Sequence, residues 1–153
     1  MTISVADELA AHPFFVDLPD RVVLAVAPLA ARLEVDARQV LGREGEPAGR
    51  FYLTTAGRVA LELHSPGRQP AVLETLPAGE VVGWSWLAPP YRWQFDAVAV
   101  DPVSALAVDG ARLRAEMDAD PVLGYTLAAR FLPVIVDRLQ STRRRLLDLY
   151  AGT

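Results

Sequence analysis

The chain lacks both cysteine and lysine. Its 153 residues contain fifteen basic residues, all of them arginine, and two histidines that stand far apart, at positions 12 and 64. The absence of cysteine excludes disulfide bonds and thiolate metal sites. No apolar run reaches the ~18–20 residues of a membrane-spanning helix, and the N-terminus has no basic segment of the kind that opens a signal peptide. We therefore expect one cytoplasmic domain without membrane contact.

Positive charge is too sparse and scattered for unaided nucleic-acid binding. The formal net charge is −4, and phosphate neutralisation supplies most of the affinity in nucleic-acid complexes. The one basic run, Arg143-Arg144-Arg145, lies near the C-terminus of a predicted helix, where cations complement the helix dipole. This run is interpreted as a solvated helix end.

Candidates for catalysis are few. His12 precedes a proline and is interpreted as a packing or capping residue, while His64 lies at a predicted hairpin end and is expected to be exposed. The spacing of the carboxylates, histidines and hydroxyls matches no nucleophile motif, carboxylate pair or metal-ligand cluster. We expect a protein that is not an enzyme and has no catalytic residues and no metal site.

The pattern of apolar residues divides the chain into three parts. Residues 1–31 contain two predicted helices, over 4–11 with Ser4 at its start and over 19–31. Residues 32–108 carry short β-branched or alternating runs at intervals of about ten residues, which is typical of an antiparallel sandwich or barrel. Residues 109–153 are helical again. The predicted strands are RLEV, QVLG, RFYLTT, RVALELH, AVLETL, FDAVAV and SALAV.

The last predicted helix, over 121–150, carries an apolar seam with spacings of four and three residues. Pro133 is expected to kink this helix or to mark where a first helix ends. The seam could pack on the β-region, but pairing with the same helix of a second chain is the preferred interpretation. Its residues are Phe131, Ile135, Leu139, Thr142, Leu146 and Leu149.

Three segments resemble the cyclic nucleotide-binding domain of the Crp/Fnr regulators: VLGREGEPAGRFYLTTAGRVAL (40–61), LPAGEVVG (76–83) and HPFFVDLP (12–19). The resemblance covers about residues 8–150. It implies a mainly β fold, a double-stranded β-helix (jelly roll) with flanking helices and a long C-terminal helix. In that family the long helix transmits ligand occupancy to an effector domain.

The resemblance also locates a phosphate-binding cassette at residues 83–97, GWSWLAPPYRWQFDA. In the family this segment runs from Gly-Glu to Arg-Ser/Thr-Ala; the glutamate binds the ribose and the arginine binds the cyclic phosphate. Here Gly83 and Ala97 are kept, but Trp84 replaces the glutamate, Phe95 the arginine and Asp96 the hydroxyl residue. Losing such charged hydrogen bonds costs about 1.5–3 kcal/mol each, so ordinary cyclic AMP binding is expected to be weak.

Three interpretations of the cassette's aromatic residues stay open at this point: a packed core, a rebuilt pocket for another small ligand, and a protein-docking surface. Trp93 and Phe95 should point to one face of a strand, and Arg92, Gln94 and Asp96 to the other. The predicted ligand-binding residues are Gly83, Trp84, Ser85, Trp86, Arg92, Phe95, Asp96 and Ala97.

The preferred hypothesis is a non-enzymatic regulatory or sensor module, homodimeric through helix 121–150. Because the chain stops at Thr153, just after that helix, we expect no DNA-binding domain and an output through a separate protein partner. No cofactor is assigned, but a cyclic nucleotide or another small ligand is possible. The alternative hypothesis is a genuine cyclic nucleotide receptor with an altered cassette, in which Arg92 swings inward to bind the phosphate.

Overall fold

The computed structural model describes residues 3–152. It begins with two short helices, α1 (Val5–Ala11) and α2 (Asp20–Val26). The Ser4 hydroxyl accepts a hydrogen bond from the Asp7 N–H at 3.1 Å, which confirms the predicted start of α1. The second helix is shorter than predicted. It tightens into a 3-10 turn at Ala27–Leu29, because Pro28 has no N–H with which to continue the α-helical hydrogen bonds.

Eight strands follow and form two antiparallel sheets of four strands each. The strand order is β1-β8-β3-β6 in the first sheet and β2-β7-β4-β5 in the second. Each predicted strand is confirmed; the two-residue strand β6 was not predicted. The strands are β1 (Ala30–Val35), β2 (Val40–Gly42), β3 (Arg50–Ala56), β4 (Val59–Leu63), β5 (Ala71–Leu76), β6 (Val81–Val82), β7 (Asp96–Ala99) and β8 (Val103–Asp109).

Strand β3 is buried on both faces and separates two hydrophobic clusters. Phe51 and Leu53 point into a cluster shared with the helices. Tyr52, between them, points into a second cluster that lies between the two sheets. Successive side chains of a strand point to opposite faces, so this one strand links the helical layer to the interior of the roll.

Two helices complete the fold, α3 (Gly110–Ala119) and α4 (Pro121–Ala151). The Asp109 carboxylate caps α3 by accepting a hydrogen bond from the Arg112 N–H at 3.0 Å, and Asp120 caps α4 in the same way. Helix α4 continues through Pro133 as one element of 31 residues. None of the helices within residues 3–152 has both the length and the apolarity needed to cross a bilayer.

The two halves of α4 have different surroundings. In the first half, Leu123, Leu127 and Phe131 are buried in the helical cluster. In the second half, apolar side chains of the predicted seam remain exposed; Leu139 is 67% exposed and Leu146 is 54% exposed. The beginning of the helix therefore packs on the roll, as one interpretation of the seam required, while the rest leaves an apolar face uncovered in the single chain.

Candidate functional site

The cassette segment, residues 83–97, begins directly after β6 with a glycine that the geometry requires. Gly83 has a φ of +97°, a left-handed conformation that side-chain-bearing residues rarely adopt. A Cβ atom at this position would also lie 2.8 Å from the Trp93 ring. The chain then forms a 3-10 turn at Ser85–Leu87. Gly83 therefore shapes the entry to the cassette.

Trp86 fixes this turn in the helical cluster. Its side chain is fully buried, and its ring stacks on Phe51 at a centroid distance of 4.8 Å and meets Phe131 edge-on at 5.3 Å. Gly110, the first residue of α3, gives it room, because a Cβ there would lie 2.7 Å from the Trp86 Cβ. Trp86 thus ties the cassette to β3, α3 and α4 as a core residue.

Trp93 fills the second cluster. Its ring lies 6.4 Å from Tyr52 and 6.0 Å from Phe95 between centroids. A Cβ at Gly42 would overlap this ring at 2.1 Å, so the β2 backbone packs directly against the indole. Part of the aromatic cassette is therefore core, as the packed-core interpretation expects.

Two further aromatic residues of the cassette border an open cavity. A cavity of about 280 Å³ lies between the second sheet and α4, and Trp84 and Phe95 form part of its wall. Apolar side chains dominate the rest of the wall, and the polar side chains at its border come mostly from α4. Besides the two aromatics, the lining residues are Leu61, Leu63, Leu73, Glu74, Gln94, Ile135, Arg138, Leu139, Ser141 and Thr142.

The cation of the cavity, Arg138, is enclosed by carboxylates. Its side chain is 8% exposed. One guanidinium nitrogen donates to the Val81 carbonyl at 2.9 Å, and another donates to Asp137 at 2.9 Å and lies 3.6 Å from Glu74. Glu80 lies 3.9 Å away; burial raises the pKa of its carboxyl, and Arg138 opposes that rise. The positive charge of Arg138 is therefore already balanced within the protein.

Two buried polar atoms at the cavity have no hydrogen-bond partner among residues 3–152. They are the indole Nε1 of Trp84 and the Oε2 of Glu74, and the latter is the oxygen that lies 3.6 Å from the Arg138 guanidinium. Buried polar atoms are nearly always paired with protein, water or ligand. Of these two atoms, the Trp84 N–H is therefore the one left without a polar partner within residues 3–152.

Arg92 and Asp96 lie outside this cavity. Arg92 is exposed and donates to the Gly45 carbonyl at 2.8 Å. Asp96 is buried but faces away from the cavity, where its carboxylate accepts a hydrogen bond from the Glu44 N–H at 2.8 Å and lies 2.9 Å from the His64 ring. Both residues hold the turn around Gly45.

The predicted site residues therefore differ in whether they line the cavity. Trp84 and Phe95 line the cavity, while Gly83, Trp86 and Ala97 support it without lining it. Ser85 is buried in the 3-10 turn and also does not line it. That all eight residues form one ligand site stays a prediction.

Glu74 and Arg138 were not among the residues predicted from the sequence. Arg138 follows the seam residue Ile135 by three positions and therefore shares its helix face. An arginine on an apolar seam was the available signal, but the seam was interpreted as a dimer contact. Glu74 gave no comparable signal.

The histidines have the surroundings expected from the sequence. His12 is 3% exposed; its Nε2 lies 3.0 Å from the Thr54 carbonyl and its Nδ1 accepts from the Phe14 N–H. Burial lowers the pKa of His12 below its ordinary value. His64 is half exposed. Across residues 3–152, no group of three histidine, aspartate or glutamate side chains has the arrangement needed to hold a metal ion.

A family model described as the cyclic nucleotide-binding domain matches residues 32–120. None of the curated proteins matches the chain. Among solved structures, a putative cyclic nucleotide-binding protein from Geobacter metallireducens GS-15 is 26% identical, with a TM-score of 0.79; the match covers 90% of this chain and 99% of that one.

Two further structures show how this fold is used in larger chains. The catabolite activator protein of Thermus thermophilus is 26% identical with a TM-score of 0.67, and the match covers 91% of this chain and 63% of that one. A cAMP-binding acyltransferase from Mycobacterium smegmatis is 28% identical with a TM-score of 0.59, over 69% of this chain and 33% of that one. The jelly-roll fold predicted from the sequence is confirmed.

Proposed function

This chain belongs to the cyclic nucleotide-binding domain family, and from that premise we propose that it is a non-enzymatic sensor module. Its ligand is a small, largely apolar molecule bound in the cavity between the second sheet and α4. Ordinary cyclic AMP is bound weakly or not at all. The output passes through α4 to a protein partner.

The observation that carries this proposal is the lining of the cavity. Trp84 and Phe95 stand at the two cassette positions where the family resemblance implies a glutamate for the ribose and an arginine for the phosphate. A cyclic phosphate is an anion that needs a free cation or several N–H donors when it is buried. The cation at this cavity, Arg138, is instead surrounded by Glu74, Glu80 and Asp137.

The lining of the cavity also narrows the ligand class. The Glu74 carboxylate already faces Arg138, and the aromatic walls favour a flat or polarisable group. A neutral heterocycle suits this cavity because it brings no negative charge beside Glu74.

The position of α4 supports a sensor role. Ile135, Arg138 and Leu139 line the cavity from this helix, so a bound ligand would contact the element that also carries the exposed apolar face. A ligand biases a conformational equilibrium only through contacts that differ between two states. A ligand that touches α4 directly can make contacts that change when this helix moves.

Arg92 gives the alternative hypothesis little support. Its side chain donates to the Gly45 carbonyl and is absent from the cavity wall formed by the described residues. A receptor that used Arg92 for the phosphate would have to break this contact and turn the side chain across the strand.

The test compares an apolar probe with cyclic nucleotides. We expect the neutral fluorophore N-phenyl-1-naphthylamine to bind and to quench tryptophan emission, with 1:1 stoichiometry. Leu139→Trp, which fills the cavity, should abolish this binding. Leu132→Trp is the matched control, because Leu132 lies on the same helix and is similarly exposed, at 58% against 67% for Leu139, but does not line the cavity.

Cyclic AMP and cyclic GMP should leave the melting temperature unchanged at millimolar concentration. A ligand present at a hundredfold excess over its Kd would stabilise the native state by about 2.7 kcal/mol. A clear thermal shift with either nucleotide, lost in Arg92→Gln, would overturn the proposal in favour of the receptor hypothesis.

A further inference from the structure

Three arginines of this protein converge on one groove without a polar partner. Within residues 3–152, the side chains of Arg38, Arg43 and Arg50 make no hydrogen bond and no ion pair. The guanidinium carbon of Arg50 lies over the ring of Tyr52, 5.4 Å from the ring centroid. Other arginines are occupied: Arg21, Arg32, Arg58 and Arg138 bind carboxylates.

The groove has a volume of about 550 Å³ and lies between β1 and β2. Each of these strands is at the edge of its sheet and pairs with one neighbour only. Leu33, Val35 and Leu41 contribute apolar lining. An extended chain placed here would therefore meet apolar side chains below it and the free edges of two strands beside it.

The charge of the groove differs from that of the whole chain. It is lined by three arginines and one carboxylate, Glu34, whereas the chain has a formal net charge of −4. The Glu34 carboxylate already accepts a hydrogen bond from the Ser104 hydroxyl at 2.8 Å. The guanidinium groups, with their forked donors, are therefore left for carboxylates from another molecule.

One of the three arginines is held in a backbone conformation that is rare for its residue type. Arg38 has a φ of +74°, and its N–H donates to the Ala99 carbonyl at 2.7 Å. Non-glycine residues in this region persist when the surrounding structure holds them there, and they cluster at functional sites. The turn thus presents Arg38 at the groove at some cost in backbone energy.

We propose that this groove binds an extended acidic peptide segment of a partner protein, in which carboxylate side chains alternate with apolar ones. Such a peptide offers carboxylates to the arginines and apolar side chains to Leu33, Val35 and Leu41. Exposed strand edges are an established place for peptide addition. A nucleic acid fits less well, because it needs an extended basic stripe.

This surface and the cavity beneath α4 share no lining residue. Peptide binding can therefore be tested without the cavity ligand, and the failure of one proposal leaves the other intact. The probe is a fluorescein-labelled peptide of alternating Glu and Val residues, and binding is followed by fluorescence anisotropy on the full chain.

We expect saturable binding that weakens as salt rises and that is lost when Gln replaces Glu in the peptide. Combining Arg38→Gln, Arg43→Gln and Arg50→Gln should weaken binding about tenfold, since three exposed ion pairs that contribute about twofold each multiply to that value. The matched control combines Arg68→Gln, Arg112→Gln and Arg143→Gln, which removes the same charge from exposed arginines outside the groove.

Thermal denaturation will establish that both triple variants remain folded. If both triple variants lose peptide affinity equally, net charge alone explains the effect and the proposal is overturned. Tight binding of the Gln peptide would overturn the role of the carboxylates. If a single-stranded oligonucleotide binds the groove more tightly than the acidic peptide does, the occupant is a nucleic acid and the peptide proposal is wrong.

Discussion

The Asp96 carboxylate and the backbone N–H of Glu44 lie 2.8 Å apart and are separated by 52 positions in the chain. The bond joins the start of β7 to the turn that follows β2. The family resemblance implies a serine or threonine at position 96 that faces a ligand. In this protein the residue faces the other way and stabilises a turn.

Asp96→Ala should lower the free energy of unfolding by about 1–2 kcal/mol, because a partly buried N–H loses its acceptor. Asp96→Asn keeps an oxygen acceptor and should cost less. Urea denaturation measures both. The control is Asp101→Ala, which removes an exposed ion pair with Arg58 and should have a smaller effect; equal losses would contradict the role of the Glu44 contact.

Gly110→Ala should destabilise the protein by about 1–3 kcal/mol, a typical cost of overpacking. The added methyl group would lie 2.7 Å from the Trp86 Cβ and would force the 3-10 turn away from α3. Gly49→Ala is the matched control, since a Cβ there meets no atom within 4 Å. If the two variants have similar melting temperatures, the 3-10 turn that carries Trp86 can shift without cost and the predicted overpacking is wrong.

His12 should make stability fall as the solution becomes more acidic. Burial lowers its pKa in the folded state from the ordinary value of 6.5, so the unfolded chain binds the proton first. The contribution of His12 to the free energy of unfolding is fully present above pH 6.5 and is lost as the pH falls toward the pKa of the folded state. The free energy of unfolding then falls by at most about 1.4 kcal/mol per pH unit.

The pH effect of His12 is isolated by comparing the wild type with His12→Gln. Glu80, whose pKa is raised, contributes in the opposite direction, because its protonation favours the folded state. The difference between the two proteins removes this shared contribution. If the free energy of unfolding has the same pH dependence in both, His12 is not the titrating group.

Leu146→Asp should convert a dimer to a monomer, because Leu146 lies on the exposed apolar face of α4 and is 54% exposed in the single chain. A carboxylate on such a seam is costly to bury. Size-exclusion chromatography with light scattering measures the mass. Leu24→Asp on α2, a residue 68% exposed, is the control and should leave the mass unchanged; a monomeric wild type would contradict the predicted dimer.

Much of the fold could be predicted from the sequence because the relevant signals are local. Alternating apolar runs located the strands, and Ser4 located the start of α1. The errors have physical causes. Strand β6 has two residues and therefore no period to detect, and α2 ended early because Pro28 cannot donate the next helical hydrogen bond.

The candidate site was less predictable. Trp93 and Phe95 lie in one buried cluster, as the strand period predicted. However, β7 begins only at Asp96, and Gln94, predicted to point the other way, lines the cavity beside Phe95. The period also could not show that Glu74 and Arg138, 64 positions apart, approach within 3.6 Å. That contact depends on the packing of α4 over the second sheet, which no local pattern encodes.

The sequence by itself determined the order of strands and helices and the aromatic character of residues 83–97. These are properties of residue identity and local spacing. Only the tertiary structure decided which aromatics are core and which face a cavity, that Arg138 is neutralised, and that three unpaired arginines share a groove. Those outcomes depend on which distant surfaces pack together, and packing sets the burial and the partners of each side chain.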